Sequence, residues 1–397
     1  MDARSRKTER SVTVGETYKG LRVLDLATNI AGPFAAMILG DLGADVVKIE
    51  RPPGGDDTRN LPPEHDGEAT VFLAVNRNKR SLLLDIKTAE GREALMRLAE
   101  TADIVVESFP PGLVNRLGLD YAAFKARNPK LILCSISAFG DGPIGSNMPG
   151  YDALVQAVSG LMSFTGSSDS PTVRIAPSVL DLGTGMWAAM GLMAAIARRQ
   201  TNGEGEHLAP ALIDTAFTLM NHQLMGYLAT GQAPQKLGSG APSAAPYGVW
   251  EADDGELMIA TASEAQFPRL CKVLDLMELV EDDRFRTIAN RLANRTILDA
   301  AISKKIGAKS VDDWLVLLGE AGISAGRVND VEAAMTLPVV EERHLLRKLD
   351  EQALPQLRLP IDPKGDGIKT APPKLGQHSE QILREAGLSE AEILSLL

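Results

Sequence analysis

Between Leu21 and Ser135 short aliphatic runs alternate with segments that carry helix start and stop signals. Leu21-Arg-Val-Leu-Asp-Leu26 reads as a strand. Pro33 suits the first position of a helix that runs to about Leu42 and stops at Gly43. Asp45-Val-Val-Lys-Ile49 is the next strand and ends in Glu50-Arg51. Ser81 to Leu84 is another, Thr88 can cap a helix through Glu100, and Asp103–Glu107 and Leu131–Ser135 continue the series. Alternation of this kind restricts the chain to an α/β architecture, a parallel sheet with helices on its faces.

The centre is helical, most clearly over 152–161, 181–199 and 214–229. A loop rich in Gly, Ser, Ala and Pro, Ala233 to Pro246, marks a boundary. Beyond it Tyr247–Trp250 and Leu257–Ala262 read as hairpin strands around Asp253-Asp254-Gly255. Ser310, with Asp313 three residues on, caps a later helix, and Gly322 to Asn329 reads as a return loop. Residues 330–397 hold a further helix, Pro-rich extended chain and terminal helices. The expected organisation is a larger domain made from 20–230 and 330–397, with a smaller α+β domain, 235–325, inserted in it.

The 397 residues suit two or three domains. With 52 acids against 41 bases the net charge is −11, which argues against a nucleic-acid partner. Cys134 and Cys271 lie far apart without a partner motif, so neither a disulfide framework nor a zinc site is expected, and a reducing cytoplasm fits. The five histidines show no metal spacing, so no metal is expected. Met1 to Gly20 is polar and charged, without the apolar run of a secretory leader. The uncharged stretch Met186 to Ala197 is too short to span a bilayer, so no membrane partner is expected either.

That stretch follows Asp181-Leu182-Gly183-Thr184-Gly185. A helix apolar nearly all round is normally buried, and an acid in its first turn is stabilised by free N–H groups and the helix dipole. Asp181 is therefore either an N-cap or a buried, oriented nucleophile or base. A dinucleotide site fails on the residues: the first strand–helix turn, Thr28-Asn29-Ile30-Ala31-Gly32-Pro33, has one glycine where the phosphate fingerprint needs three, and a proline where N–H groups should point at pyrophosphate.

Several segments recur in order along nearly the whole chain. They are Ala31-Gly32-Pro33 with Leu42-Gly-Ala-Asp-Val-Val-Lys-Ile-Glu-Arg51, Asn78-Lys79-Arg80-Ser81 before Leu84-Asp85, and Glu107-Ser108-Phe109-Pro110-Pro111-Gly112 before Arg116-Leu117-Gly118. Gly150-Tyr151-Asp152, Asp181 to Gly185 and Pro373-Lys374-Leu375-Gly376-Gln377-His378 follow. On these the chain resembles the class III CoA-transferases, the family of formyl-CoA transferase and the carnitine-type CoA-transferases. The resemblance implies a Rossmann-like large domain, a small domain, and two chains interlocked into a homodimer.

It also implies the chemistry. The substrates would be an acyl-CoA donor and a carboxylic acid acceptor, with coenzyme A as the carried group. Asp181 matches the family's nucleophile, which forms an anhydride and then an aspartyl–CoA thioester. The family's CoA contacts map to Asn29, Ile30, Ala31, Arg51, Leu84, Lys87, Ser108, Phe109, Pro110, Arg116 and the stretch Ser137 to Gly140. Arg51 and Arg116 suit the phosphates, and Phe109 the adenine or the pantetheine arm. Gly183, Gly185, Gly238 and Gly240 could expose N–H groups for the tetrahedral steps. Tyr151, Gln156, Met162 and the loop near 238–247 are candidates for the acid pocket. This chain departs from the family at Ser137, where relatives often carry a basic residue.

Two other readings stand beside this one. The 2-methylacyl-CoA racemases share the fold but use a histidine in Gly-His-Asp with an aspartate in Asp-Phe-Ala-Gly-Gly. Here Tyr151 takes the histidine's place, and a phenol with a reference pKa of about 10 is a poor proton shuttle. A CoA-ester-binding protein without turnover is the third reading, and an intact Asp181 argues against it.

Overall fold

The computed structural model describes residues 13–110, 112–350 and 353–397. Most of the polar Met1–Gly20 segment and Pro111 of the 107–112 motif lie outside the described residues. The chain divides into two compact units. One takes the described residues up to Ser159, Ala176–Asn221 and Pro338–Leu397; the other takes Gly160–Ile175 and His222–Leu337.

The larger unit is built on six parallel strands: β1 (Arg22–Asp25), β2 (Asp45–Glu50), β3 (Lys79–Leu83), β4 (Ile104–Glu107), β5 (Ile132–Ser135) and β6 (His207–Leu208). Their order across the sheet is β3-β2-β1-β4-β5-β6. Val23, Leu24, Val105 and Val106 are wholly buried, as near-continuous aliphatic strands must be when helices cover both faces of a sheet.

Helix α1 (Ala31–Asp41) follows β1 and is buried along almost its whole length. It starts two residues before the position expected from Pro33. Phe34 N–H closes the first helical bond, on Ile30 O, and Pro33 falls in the first turn, where a missing N–H costs nothing. A Cβ on Gly32 would overlap Ala27 Cβ, so the helix can follow the strand this tightly only with glycine there. Thr88 caps α2 (Ala89–Glu100) through Gly91 N–H, as expected.

Three more helices follow in the larger unit: α3 (Asp152–Val158), α4 (Val179–Asn202) and α5 (Leu212–Leu219). With 24 residues α4 outruns the uncharged stretch read from the sequence. By length and composition it could cross a membrane, yet half of its most apolar window is buried inside the protein. It packs along α1, and Gly185 allows this: a Cβ there would stand 2.7 Å from Ala31 O and 3.0 Å from Phe34. The single helix expected over 214–229 is two, broken at Met220, whose ψ of 11° ends α5.

The C-terminal residues return to the β3 edge. Ser81 N–H donates to His378 Nδ1 and His378 N–H to Ser81 O. Leu83 N–H donates to Ser379 Oγ, and Gly376 N–H to Ser81 Oγ. The Pro373–His378 motif thus covers an edge that would otherwise present unpaired backbone groups.

In the smaller unit, β7 (Tyr247–Ala252) and β8 (Gly255–Ala260) form the expected hairpin. Ser310 Oγ accepts from Asp313 N–H at the start of α6 (Val311–Glu320), again as expected. The segment read as a return loop instead contains β9 (Ser324–Arg327), antiparallel to β8. Ser-Ala-Gly-Arg carries no strand pattern; pairing with β8 imposes the conformation. Trp250, Leu257, Ile259, Phe267 and Trp314 fill this unit's core.

A buried ionic cluster joins the carboxyl end of β1 to Lys48 within β2 and to Lys79 at the amino end of β3. Lys79 Nζ donates to Asp25 Oδ2, Pro33 O and Asn76 Oδ1, each at 2.8 Å. Lys48 Nζ lies 2.8 Å from Asp56 Oδ2 and 3.8 Å from Asp25 Oδ2. Burial works to lower Lys48, but the charges of Asp25, Asp56 and Glu50 outweigh it and hold the group above its ordinary value. Asp25→Ala is expected to cost about 3–5 kcal/mol, because it strands a buried ammonium. Urea unfolding of the full chain measures this.

Candidate active site

The strand order reverses at β1, which has β2 on one side and β4 on the other. In open parallel sheets ligands bind outside the carboxyl ends of strands at such a point. A crevice is found there, lined by Leu26, Thr28, Arg51, Leu84, Ile86 and Phe109 over a floor that includes Lys48 and Asp56. Three predicted CoA contacts therefore meet in one place: Arg51 after β2, Leu84 after β3 and Phe109 after β4. Ser108 Oγ accepts from Thr28 N–H at 3.0 Å and ties the β4 turn to the β1 turn. Asn29, at φ 65°, donates its N–H to Asp56 Oδ1. Sequence reasoning missed Thr28 and Asp56; neither belongs to a recognisable pattern.

The remaining candidates stand around this crevice or apart from it. Ile30 occupies the N-cap of α1, and Ala31 is its buried first residue. Lys87 is exposed, one residue beyond the lining residue Ile86, and Pro110 is exposed after Phe109. Arg51 is engaged in an exposed ion pair with Asp57, of the kind worth about 0–1 kcal/mol, which does little to hold the guanidinium. Arg116 is exposed in the short helix Leu113–Leu117, and no carboxylate pairs with it among the described residues. Ser137 and Gly140 do not line the crevice. The Ser137 hydroxyl accepts from Gly140 N–H at 3.0 Å and so shapes the turn after β5.

That turn leads to Asp181. Gly150 packs against Ala138 and Phe139; a Cβ on it would lie 2.6 Å from Ala138 Cβ. Two residues on, Asp152 is buried at the start of α3. Its Oδ1 accepts from Gln156 Nε2 at 2.6 Å, and its Oδ2 accepts from Leu180 N–H at 2.8 Å and Asp181 N–H at 3.2 Å. Gln156, one of the acid-pocket candidates, is fully buried and donates to Asp152. Tyr151 is the N-cap residue of α3 and is 73% exposed.

Asp181 is the third residue of α4, so it is not the N-cap. Ser178 holds that position and makes no side-chain cap bond. The cap is supplied from another helix, by Asp152, and the reading of Asp181 as a cap is overturned. Its half-buried carboxyl receives no hydrogen bond or ion pair among the described residues. Burial first, then the charge of Asp152, raise it to about 7. Asp181 lies one turn before Gly185, on the helix face turned to Ala31 and the β1–α1 turn.

The four glycines expected to expose N–H groups do not do so. Gly183 and Gly185 lie inside α4, where N–H groups bond within the helix. They permit close packing instead, Gly183 on Thr215 and Gly185 on Ala31. In the smaller unit Gly238 N–H donates to Gly166 O and Gly240 N–H to Leu237 O.

The model of CoA-transferase family III matches residues 18–379. The succinate–glutarate CoA-transferase of Agrobacterium fabrum is 37% identical over 378 residues, covering 92% of this chain and 94% of that protein. The acetyl-CoA:oxalate CoA-transferase of Acetobacter aceti is 35% identical over 378 residues, covering 94% of this chain and 97% of that protein. Among solved structures, a CAIB/BAIF family protein from Brucella suis superposes with a TM-score of 0.83 at 37% identity, covering 93% of this chain and 98% of that one. The chain therefore belongs to CoA-transferase family III, enzymes that move CoA from an acyl-CoA thioester to a free carboxylic acid.

Proposed function

We propose that Asp181 is the nucleophile of this transfer and that the β1–β4 crevice binds the CoA moiety. The observation that carries the reading is the Asp181 carboxyl itself: half-buried, without a hydrogen-bond partner among the described residues, and raised to about 7. A carboxylate so placed is more basic than a solvated one, and a positioned carboxylate forms covalent acyl intermediates.

One Asp181 oxygen attacks the donor thioester carbonyl; the C–S bond breaks and CoA leaves as thiolate, giving a mixed anhydride. The thiolate then attacks the aspartyl carbonyl, the donor acid departs, and an aspartyl–CoA thioester remains. The acceptor carboxylate attacks that thioester, again releasing thiolate. The thiolate takes the acceptor's acyl carbon and frees Asp181. Arg51 and Arg116 suit the CoA phosphates, and Phe109 the pantetheine arm or adenine. The relatives carry names with succinate, glutarate, oxalate and mesaconate, so the acceptor class we propose is a short dicarboxylic acid, with succinyl-CoA or acetyl-CoA as donor. Both cysteines are free and buried, which fits a reducing cytoplasm.

We further propose a homodimer as the working form. Met186, Trp187 and Met190 on α4 and Phe217 and Leu219 on α5 are each 47–48% exposed, a concentration of large apolar side chains that suits a partner surface. Sedimentation at micromolar concentration is expected to give twice the chain mass; a monomer contradicts this.

The function itself is tested by intact-mass spectrometry after incubation with succinyl-CoA, acetyl-CoA and glutaryl-CoA, followed by hydroxylamine. A hydroxamate at Asp181 is expected, absent in Asp181→Asn, with transfer to a dicarboxylic acid falling by at least about 10³-fold in that variant. Unmodified protein with every ester, together with solvent deuterium at the α-carbon of a 2-methylacyl-CoA, would replace the reading with a racemase.

A further inference from the structure

The first turn of an α-helix carries N–H groups with no partner inside the helix. In α4 the bond from Leu182 N–H to Ser178 O closes the ladder, which leaves Leu180 and Asp181 N–H as free donors at the point where Asp181 stands. An aspartate at the third helical position would ordinarily be drawn toward such donors and toward the positive end of the helix dipole. A carboxylate held that way is stabilised, and its lone pairs are occupied.

Asp152 changes this. It comes from α3, 29 positions earlier in the sequence, and its Oδ2 takes both donors, at 2.8 and 3.2 Å. Its other oxygen is fixed by Gln156 Nε2 at 2.6 Å, so the side chain is locked by three hydrogen bonds. We propose that Asp152 is a positioning residue for the Asp181 nucleophile: by taking the free N–H groups of α4 it leaves the Asp181 carboxylate uncapped and destabilised by a like charge. The inference rests on the reading of Asp181 as nucleophile.

The surroundings within the larger unit leave this role to Asp152. Among the elements packed against α4, α1 carries Asp41 at its far end, paired with Arg77. Asp214 is exposed on α5. Cys134 is a buried thiol of β5, and His207 of β6 is bonded to Ser135 Oγ. The cations of α4 itself, Arg198 and Arg199, close its opposite end on Glu206 and Asp103. Asp152 is the charged group that acts on Asp181, second only to burial in raising it. Since the ionised form attacks, adduct formation is lost as pH falls below the Asp181 midpoint. Removing the Asp152 charge lowers that midpoint, while burial keeps it above the value in water.

The test is the pH dependence of aspartyl–CoA formation with succinyl-CoA, or with acetyl-CoA if that ester labels the wild type. It is measured per folded molecule in the full chain, for wild type and for Asp152→Asn, which keeps an N–H acceptor but no charge. The wild-type midpoint is expected near 7. In Asp152→Asn it moves down by about one unit, so that the rate at pH 6, as a fraction of its plateau, rises roughly five-fold. Half-saturation by the acyl-CoA stays unchanged. Asp152→Glu, which retains the charge, keeps the wild-type midpoint, and Asp152→Ser, also neutral, reproduces the Asn shift and replaces it should Asn not fold. A midpoint in the neutral variants equal to wild type overturns the proposal and leaves the nucleophile standing, as does failure of both neutral variants to fold. A wild type that forms no adduct removes the nucleophile reading first.

Discussion

Asp25 ties the central strands of the larger unit to one another beneath the crevice. Its two oxygens reach in different directions, Oδ1 to the Ala27 N–H of its own turn and Oδ2 to Lys79 of β3, with Lys48 of β2 close by. The end of β1, the middle of β2, the amino end of β3 and the start of α1 are thereby fixed to one another through buried groups. Charges placed so deep are tolerated only when each finds a partner, and here Pro33 O, Asn76 and Asp56 provide the remainder. The crevice above inherits this rigidity. Its Arg51 and Leu84 leave the sheet directly after β2 and β3, where Leu84 N–H donates to Glu50 O, and Phe109 follows the β4 turn that Ser108 ties to Thr28.

The start of α4 uses a different physical device. Burial alone makes a carboxylate a stronger base, but at a helix start the free N–H groups work in the opposite sense. The two tendencies are separated by assigning them to different residues. Asp152 satisfies the helix, and Asp181 is left with burial and repulsion. Small residues make the arrangement possible: Gly150 lets the α3 entry approach Ala138 and Phe139, while Gly183 and Gly185 let α4 settle on Thr215 and Ala31. The motif glycines act through packing distance.

How much of this could be read from the sequence depended on range. Strands β1 to β5 were legible because burial on both faces demands aliphatic runs, and the caps of Thr88 and Ser310 because a cap is read three residues away. The start of α1 lies before the position Pro33 suggests, since Ile30 makes no side-chain cap and neither Ala31 nor Gly32 marks a helix start. The break at Met220 has neither glycine nor proline to announce it, and β9 takes its conformation from its neighbour. Asp181 stood out as an acid before an uncharged helix. The role of Asp152 did not, because nothing in a local pattern tells one helix that its cap will come from another. Arg51, Leu84 and Phe109 were named through the family resemblance; their meeting in one crevice is a property of the sheet order.

The seal on the β3 edge has a consequence for how the protein is made. Ser81 and Leu83 find their outer hydrogen-bond partners in residues 376–379, almost 300 positions later in the chain. During synthesis the sheet emerges long before the segment that covers it, so a ribosome-bound chain carries an open parallel edge through most of translation. Chains in that condition are prone to mispairing and aggregation. Truncation from the C-terminus therefore does more than shorten the protein: it makes the vulnerability of the nascent chain permanent.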